Sequence, residues 1–237
     1  MMKTYKAQEK VSGYMAQRRQ ILNKNTNFVT QEAYKRLRTN IRFCIPNQKC
    51  KKFCLTSGLA GEGKSITLMN LAISIAQTGK KVLLIDADLR RPAMARLLVE
   101  KASPGLSEVL VGDANTEEAI RVGLYPNLDI LFSGEIPPNP SEVLSSENMQ
   151  QIIEESAEKY DYILVDTPPV NVVADACVIA NLLDGVLLLV RQNHAKKDGV
   201  CQAISNLQLT GANILGYILN GVAVEGGKYY SKYYSKN

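Results

Sequence analysis

The sequence contains a single histidine, His194, and that scarcity removes one class of site at the outset. One imidazole, far along the chain from most of the cysteines, cannot complete the Cys/His sets that hold zinc. The cysteines themselves, Cys44, Cys50, Cys54, Cys177 and Cys201, are odd in number, and their spacings form no disulfide framework. Reduced thiols are expected. Long apolar runs are also missing: no stretch approaches the roughly 18 residues that a membrane-crossing helix needs. Near the N-terminus, Lys3, Lys6, Glu9 and Lys10 occupy the place where a secretory signal would require an apolar core, so a cytoplasmic location is expected. No internal repeat is present.

What remains is the composition of an ordinary globular domain, 46% hydrophobic and 22% charged over 237 residues. That length buries one substantial core, and one doubly wound α/β domain is the expectation. The net charge of +5 is unevenly placed: Lys49, Lys51 and Lys52 flank the first strand, and Lys228, Lys232 and Lys236 punctuate the end. Phosphate-bearing substrates, acidic lipid headgroups or solubility explain this balance as well as nucleic acid does, and no nucleic-acid partner is expected.

The stretch Thr56-Ser-Gly-Leu-Ala-Gly-Glu-Gly-Lys-Ser65 fits G-x-x-x-x-G-K-[ST] from Gly58 to Ser65. The apolar Phe53 to Leu55 enters it, and Leu68, Leu71, Ala72, Ile75 and Ala76 follow at helical spacing, so the loop lies between a strand and a helix. Gly58, Gly61 and Gly63 are read as positions where φ > 0 lets backbone N–H groups face a polyphosphate. Lys64 then reaches the phosphates and Ser65 offers its hydroxyl to Mg²⁺; Glu62 and Ile66 complete the expected nucleotide contacts.

Further strands are expected where short apolar runs end in polar residues. Val82 to Ile85 lead to Asp86 and Asp88, Leu128 to Leu131 form a short strand, and Tyr162 to Val165 lead to Asp166. Gly185 to Val190 and Ile214 to Leu219 are two more, the last ending at Asn220, which is either a base contact or a turn residue. Continuous apolar runs suit a parallel sheet covered on both faces, whose ligands bind at the carboxyl ends of the strands. Asp166 is placed like a Walker-B acid that holds Mg²⁺, with Asp88 as a second metal-side carboxylate. Asp86 and Asp88 are the candidates to orient or deprotonate an acceptor hydroxyl. Arg90 or Arg91 is placed to meet an acidic product.

Residues 1–27 are polar and read as a mobile arm, 28–225 as the catalytic domain and 226–237 as a flexible tail. Thr30 is expected to cap an amphipathic helix that carries Ala33, Leu37 and Ile41 and ends before Pro46. Residues 103 to 120 are read as a short helical pair. Four of the eleven tyrosines, Tyr229, Tyr230, Tyr233 and Tyr234, crowd the tail behind Gly226-Gly227. No spacing there would bury them.

Taken together, Glu32-Ala-Tyr-Lys-Arg-Leu-Arg-Thr-Asn-Ile41, the P-loop, Leu84 to Pro92, Gly105-Leu-Ser-Glu-Val-Leu110, Ser133 to Glu142, Ile163 to Pro169 and the tyrosine tail resemble the cytoplasmic bacterial tyrosine kinases of capsular and exopolysaccharide synthesis. The resemblance implies a fold of the P-loop NTPase type, like that of the partitioning ATPases. It also implies ATP and Mg²⁺ as cofactors and phosphorylation of Tyr229, Tyr230, Tyr233 and Tyr234 between subunits of a ring. It further implies a transmembrane adaptor that activates the enzyme at the inner face of the membrane, and a cognate tyrosine phosphatase. Lys64, Asp86 and Asp88 take the catalytic roles, Ser65, Asp88 and Asp166 the metal. The subunit-contact motif E-x-x-R-x-x-R falls on Glu32, Lys35 and Arg38, where Lys35 keeps the charge but loses a bidentate fork. Partitioning ATPases carry a lysine just after the first loop glycine, where this chain has Leu59. A regulatory ATPase of that type, without tyrosine transfer, is the alternative reading, and a non-catalytic nucleotide-binding module is a third.

Overall fold

Residues 16–222 of the chain are described by a computed structural model. The four tail tyrosines and residues 1–15 of the expected arm lie outside them.

At the centre is a sheet in the order β3-β4-β2-β5-β1-β6-β7. Its strands are β1 (Lys51–Ser57), β2 (Val82–Asp86), β3 (Ile120–Tyr125), β4 (Leu128–Leu131), β5 (Tyr162–Asp166), β6 (Gly185–Arg191) and β7 (Ile214–Asn220). All neighbouring pairs are parallel except β3 with β4. Along each central strand alternate side chains face opposite layers. Phe53 and Leu55 join one core with Leu84 and Leu164, whereas Cys54 joins the other with Leu83, Ile85 and Val165. Because both faces are covered, β2 and β5 are buried at every residue. Each such Leu or Ile contributes about 1.5–3 kcal/mol by leaving water.

One layer holds α1 (Phe28–Cys44), α2 (Lys64–Ala76) and α3 (Met94–Leu98). The other holds α4 (Leu106–Val111), α5 (Thr116–Ala119), α6 (Pro140–Leu144), α7 (Glu147–Lys159), α8 (Asp175–Ala180) and α9 (Lys197–Leu209). The helix after the P-loop, α2, is buried from Thr67 to Ala76 because α1 lies across its outer side. Doubly wound α/β architecture is therefore observed as expected.

Several local expectations are corrected. The cap of α1 is Asn27, whose Oδ1 accepts the N–H of Thr30 at 2.9 Å, so the helix starts before Thr30. The short helical pair expected over 103 to 120 is Leu106–Val111 with Thr116–Ala119, but Ile120 already opens an antiparallel edge strand, Ile120–Tyr125. Asn139 precedes a short helix with Pro140 in its first turn, and a second helix then begins after Ser146. Within the expected mobile arm, Ile21 and Leu22 are buried in the core beside α2.

Candidate functional site

The P-loop joins β1 to α2 at the carboxyl edge of the sheet. Gly61 and Gly63 take φ of +82° and +97°, a region where a side chain would be strained. A Cβ on Gly63 would also stand 2.6 Å from Asn220 Nδ2. Gly58 differs from expectation, since its φ is not positive. What it supplies is room: a Cβ there would meet Asn171 Nδ2 and the Gly199 carbonyl, both at 3.2 Å.

Glu62 is turned inward and only 1% exposed. Its carboxylate accepts the N–H of Leu59 and of Arg191, each at 2.9 Å. The Arg191 side chain returns a bond to the Gly61 carbonyl at 2.9 Å, and Asn220 Nδ2 donates to the Glu62 carbonyl at 2.8 Å. His194 Nε2 lies 3.1 Å from the Ala60 oxygen. The Glu62 side chain thus shapes the loop from within. Asn220 also holds its own turn, its Oδ1 accepting the Gly221 N–H at 2.8 Å. Arg191 and His194 escaped the sequence reading because they lie about 130 residues away in the chain, and no local spacing connects them to the loop.

Lys64 and Ser65 open α2, with Ile66 packed against the core beneath. Asp86 and Asp166 end β2 and β5 in direct register. Asp86 Oδ2 accepts the N–H of Met94, the first residue of α3, at 3.2 Å. Its Oδ1 and the Oδ1 of Asp166 are both buried without a hydrogen-bond partner among the described residues. Burial, and next the charge of Asp166, push the Asp86 carboxyl above the usual carboxylate range. Asp166 is likewise raised by burial, against the opposing pull of the Lys64 ammonium and the Ser65 hydroxyl. Asp88 is half-buried and takes the Arg91 N–H on Oδ1 at 3.0 Å, with no partner for its second oxygen among the described residues.

Two orphaned carboxylate oxygens beside a serine hydroxyl fit a hard divalent cation that completes its shell with water and phosphate. No group of three or more His, Cys, Asp or Glu side chains able to hold a metal occurs among the described residues, so the protein alone forms no cage. Such an ion would share its shell with the nucleotide.

Arg90, proposed for an acidic product, is partly exposed but already paired. It pairs with the fully buried Asp175 at 2.8 Å, and Ser141 Oγ bonds the same carboxylate at 2.6 Å. This triad ties the exit of β2 to α6 and α8. The motif segments 105–110 and 133–142 are joined in the same way: Leu106 and Ser107 donate to the carbonyls of Phe132 and Ser133, and Glu108 accepts the N–H of Gly105 and Glu135. On α1, Glu32 pairs with Lys35 at 2.7 Å along the helix. Arg38 donates to the Ser74 carbonyl on α2 and stays half-buried.

A cleft of about 910 Å³ opens over the loop. Its walls are Asn220 and Gly221 on one side and the segment before α1 on the other.

A Gly-Lys-Ser loop above two strand-end carboxylates in a parallel sheet defines a P-loop nucleotide-binding protein. A family model described as an AAA domain matches residues 51–215. The chain belongs to the tyrosine-protein kinases. It is 38% identical to tyrosine-protein kinase YwqD of Bacillus subtilis (strain 168), over 98% of both chains. The solved kinase domain of the Escherichia coli tyrosine kinase ETK superposes with a TM-score of 0.78 at 36% identity, covering 81% of this chain and 75% of that one. The septum site-determining protein MinD of Pyrococcus horikoshii, complexed with Mg-ADP, is more distant: TM-score 0.61, 25% identity, 77% and 76% covered.

Proposed function

We propose that this tyrosine kinase transfers the γ-phosphate of ATP to Tyr229, Tyr230, Tyr233 and Tyr234 of neighbouring copies in a homo-oligomeric ring, and thereby regulates capsular or exopolysaccharide assembly. The observation that carries the chemistry is the pair of buried, unpartnered oxygens of Asp86 and Asp166 beneath Lys64 and Ser65.

In this reading the backbone N–H groups of the loop and the Lys64 ammonium hold the phosphates of ATP. Ser65, Asp166 and Asp86 would hold Mg²⁺, which when bound neutralises phosphate charge. The burial difference divides the two acids on the β2 exit: Asp86 is sealed below, whereas Asp88 has a free oxygen that an incoming phenol can reach. Asp88 therefore orients or accepts the proton of the tyrosine hydroxyl, and Asp86 serves the metal side. A phenol titrates near pH ~10, so alignment and charge neutralisation carry most of the rate. Each transferred phosphate adds about −1.5 to −2 charges to the basic tail, which favours its release from a neighbour's site.

An adaptor embedded in the membrane would recruit and activate the chain at the inner face, and a tyrosine phosphatase would reset it. No helix among the described residues is long and apolar enough to cross a membrane. The likeness to MinD supports Mg-nucleotide binding, and Leu59 in place of the partitioning-type lysine supports phosphotransfer over the regulatory-ATPase reading.

The test is incubation of the full chain with Mg·ATP and an adaptor fragment, read by phosphotyrosine mass mapping beside Lys64→Met. Phosphate on the tail tyrosines that disappears in the variant is the expected result. ATP hydrolysis with unmodified tyrosines, and stimulated by DNA, would move the chain to the regulatory ATPases.

A further inference from the structure

Asp175 is a carboxylate at the start of α8 with no exposed surface, and residues from two other segments take both of its oxygens. Arg90 Nε donates to Oδ2 at 2.8 Å and Arg90 Nη2 to Oδ1 at 3.2 Å, a two-pronged fork. Ser141 Oγ donates to Oδ1 at 2.6 Å and itself accepts the Arg90 Nη2 hydrogen at 2.8 Å. A buried ion pair adds little stability over an apolar contact of the same size. What a planar fork on a sealed carboxylate does fix is position.

The position so fixed is that of the turn leaving β2. Ala87 N–H donates to the Asp166 carbonyl at 2.9 Å, and Leu89 is buried in the core. Asp88 closes the turn on itself, its Oδ1 accepting the Arg91 N–H at 3.0 Å. Arg90 lies inside that closed turn, so its clamp to Asp175 sets where the second Asp88 oxygen points.

The clamp is built on rigid parts. Segment 133–142 contains Pro137, Pro138 and Pro140, each with φ fixed by its ring. Glu108 accepts the Glu135 N–H at 3.2 Å near one end of the segment, and Ser141 ties the other to Asp175. Arg90, Ser141 and Asp175 are all absent from the walls of the cleft over the P-loop. The clamp therefore acts on the acceptor side of Asp88, away from the nucleotide.

We infer that Asp175 is a positioning residue for phosphotransfer, holding the Asp88 carboxylate toward the acceptor hydroxyl through Arg90, with Ser141 as its brace. This rests on the reading of Asp88 as the group that meets the tyrosine.

The experiment measures phosphotyrosine formation by the full chain with Mg·ATP and the adaptor fragment. The acceptor is the Lys64→Met chain, and the four tail tyrosines of the enzyme are changed to phenylalanine so that only the acceptor reports. Rates are taken per folded molecule, and Mg·ADP is titrated alongside. Asp175→Asn should lower kcat by about 10–100-fold, with KM for the acceptor and ADP affinity unchanged. Arg90→Lys, which keeps the charge and loses the fork, should fall nearly as far. The double variant should fall no further than either single one, since both break one device. Ser141→Ala should lose part of the rate, and Ser141→Thr, which keeps the hydroxyl, should recover most of it. Parent kcat in Asp175→Asn, losses that add in the double variant, or an equal fall in ADP affinity would overturn the inference. Should Asp175→Asn not fold, parent kcat in both Arg90→Lys and Ser141→Ala would overturn it as well. Asp88→Asn separates the two readings: parent kcat in that variant removes the role given to Asp88 itself, whereas its loss beside an unaffected Asp175→Asn removes only the clamp.

Discussion

Asp86 and Asp166 face each other in register at the ends of adjacent parallel strands, each with one oxygen sealed from water and left without a partner. Two carboxylates so placed destabilise the protein unless a cation or a proton joins them. Asp166 faces Lys64 and Ser65 of the phosphate loop, where a bound cation would relieve that cost.

A pH dependence follows for protein freed of divalent ions by chelation. Burial raises Asp86 above the ordinary value of 3.8, and Asp166 is raised with it. Between the unfolded and raised values the folded state holds more protons, so stability falls as pH rises through that interval. Asp86→Asn should therefore melt higher than the parent at neutral pH, by roughly 2–4 °C for each kcal/mol relieved. The gain should fade towards pH ~4, and phosphotransfer should be lost. A variant that melts lower than the parent at neutral pH would contradict the pairing described.

Glu62 should prove structural in a way that an amide cannot replace. Both of its bonds are accepted from backbone N–H groups, those of Leu59 and Arg191. In Glu62→Gln the new NH₂ group confronts one of these donors. The expected cost is about 1–3 kcal/mol of stability, together with weaker nucleotide binding, seen by denaturant unfolding and ADP titration. Unchanged unfolding would mean that the loop keeps its shape without the carboxylate.

On α1, the three residues of the subunit-contact motif should separate. Arg38 bonds the Ser74 carbonyl inside its own chain. Arg38→Ala should destabilise the protein by about 1–3 kcal/mol even at concentrations too dilute for assembly. The Glu32 to Lys35 pair lies on the surface, so Lys35→Ala should change monomer stability by less than about 0.5 kcal/mol. Equal stability loss in the two variants would remove the distinction.

Thiol labelling should follow burial. Cys44 and Cys201 are exposed, whereas Cys54 and Cys177 are buried. Cys50 is buried as well, and desolvation pushes its thiol up to about 11, so little thiolate is present at neutral pH. Mass mapping after brief iodoacetamide treatment should find Cys44 and Cys201 modified first, with the other three labelled only on unfolding. Early modification of Cys50 would show that β1 opens at its start.

Much of the fold was legible because its signals are local. The apolar runs of β1, β2, β5 and β6 require cover on both faces, and the glycines and Lys64 between β1 and α2 have few uses other than phosphate binding. β3 was not legible: in Ile120-Arg-Val-Gly-Leu-Tyr125 the alternation is interrupted by Gly123 at φ +80°, and the strand exists because β4 offers it an antiparallel edge. The arm was misread at Ile21 and Leu22 for a similar reason. Two apolar residues in a polar segment show no period, and only Asn70, far ahead in the chain, gives them a place.

Neighbouring residues suffice to specify the phosphate loop, the carboxylates at the strand ends and the two-layered α/β plan. Tertiary structure alone decided which polar groups serve a ligand and which serve the fold. Glu62, Arg38 and Arg90 carry charges whose partners within the fold, Arg191, Ser74 and Asp175, no local spacing announces. A buried charge must find a partner, and the nearest partner in space is set by the crossing of strands and helices rather than by position in the chain.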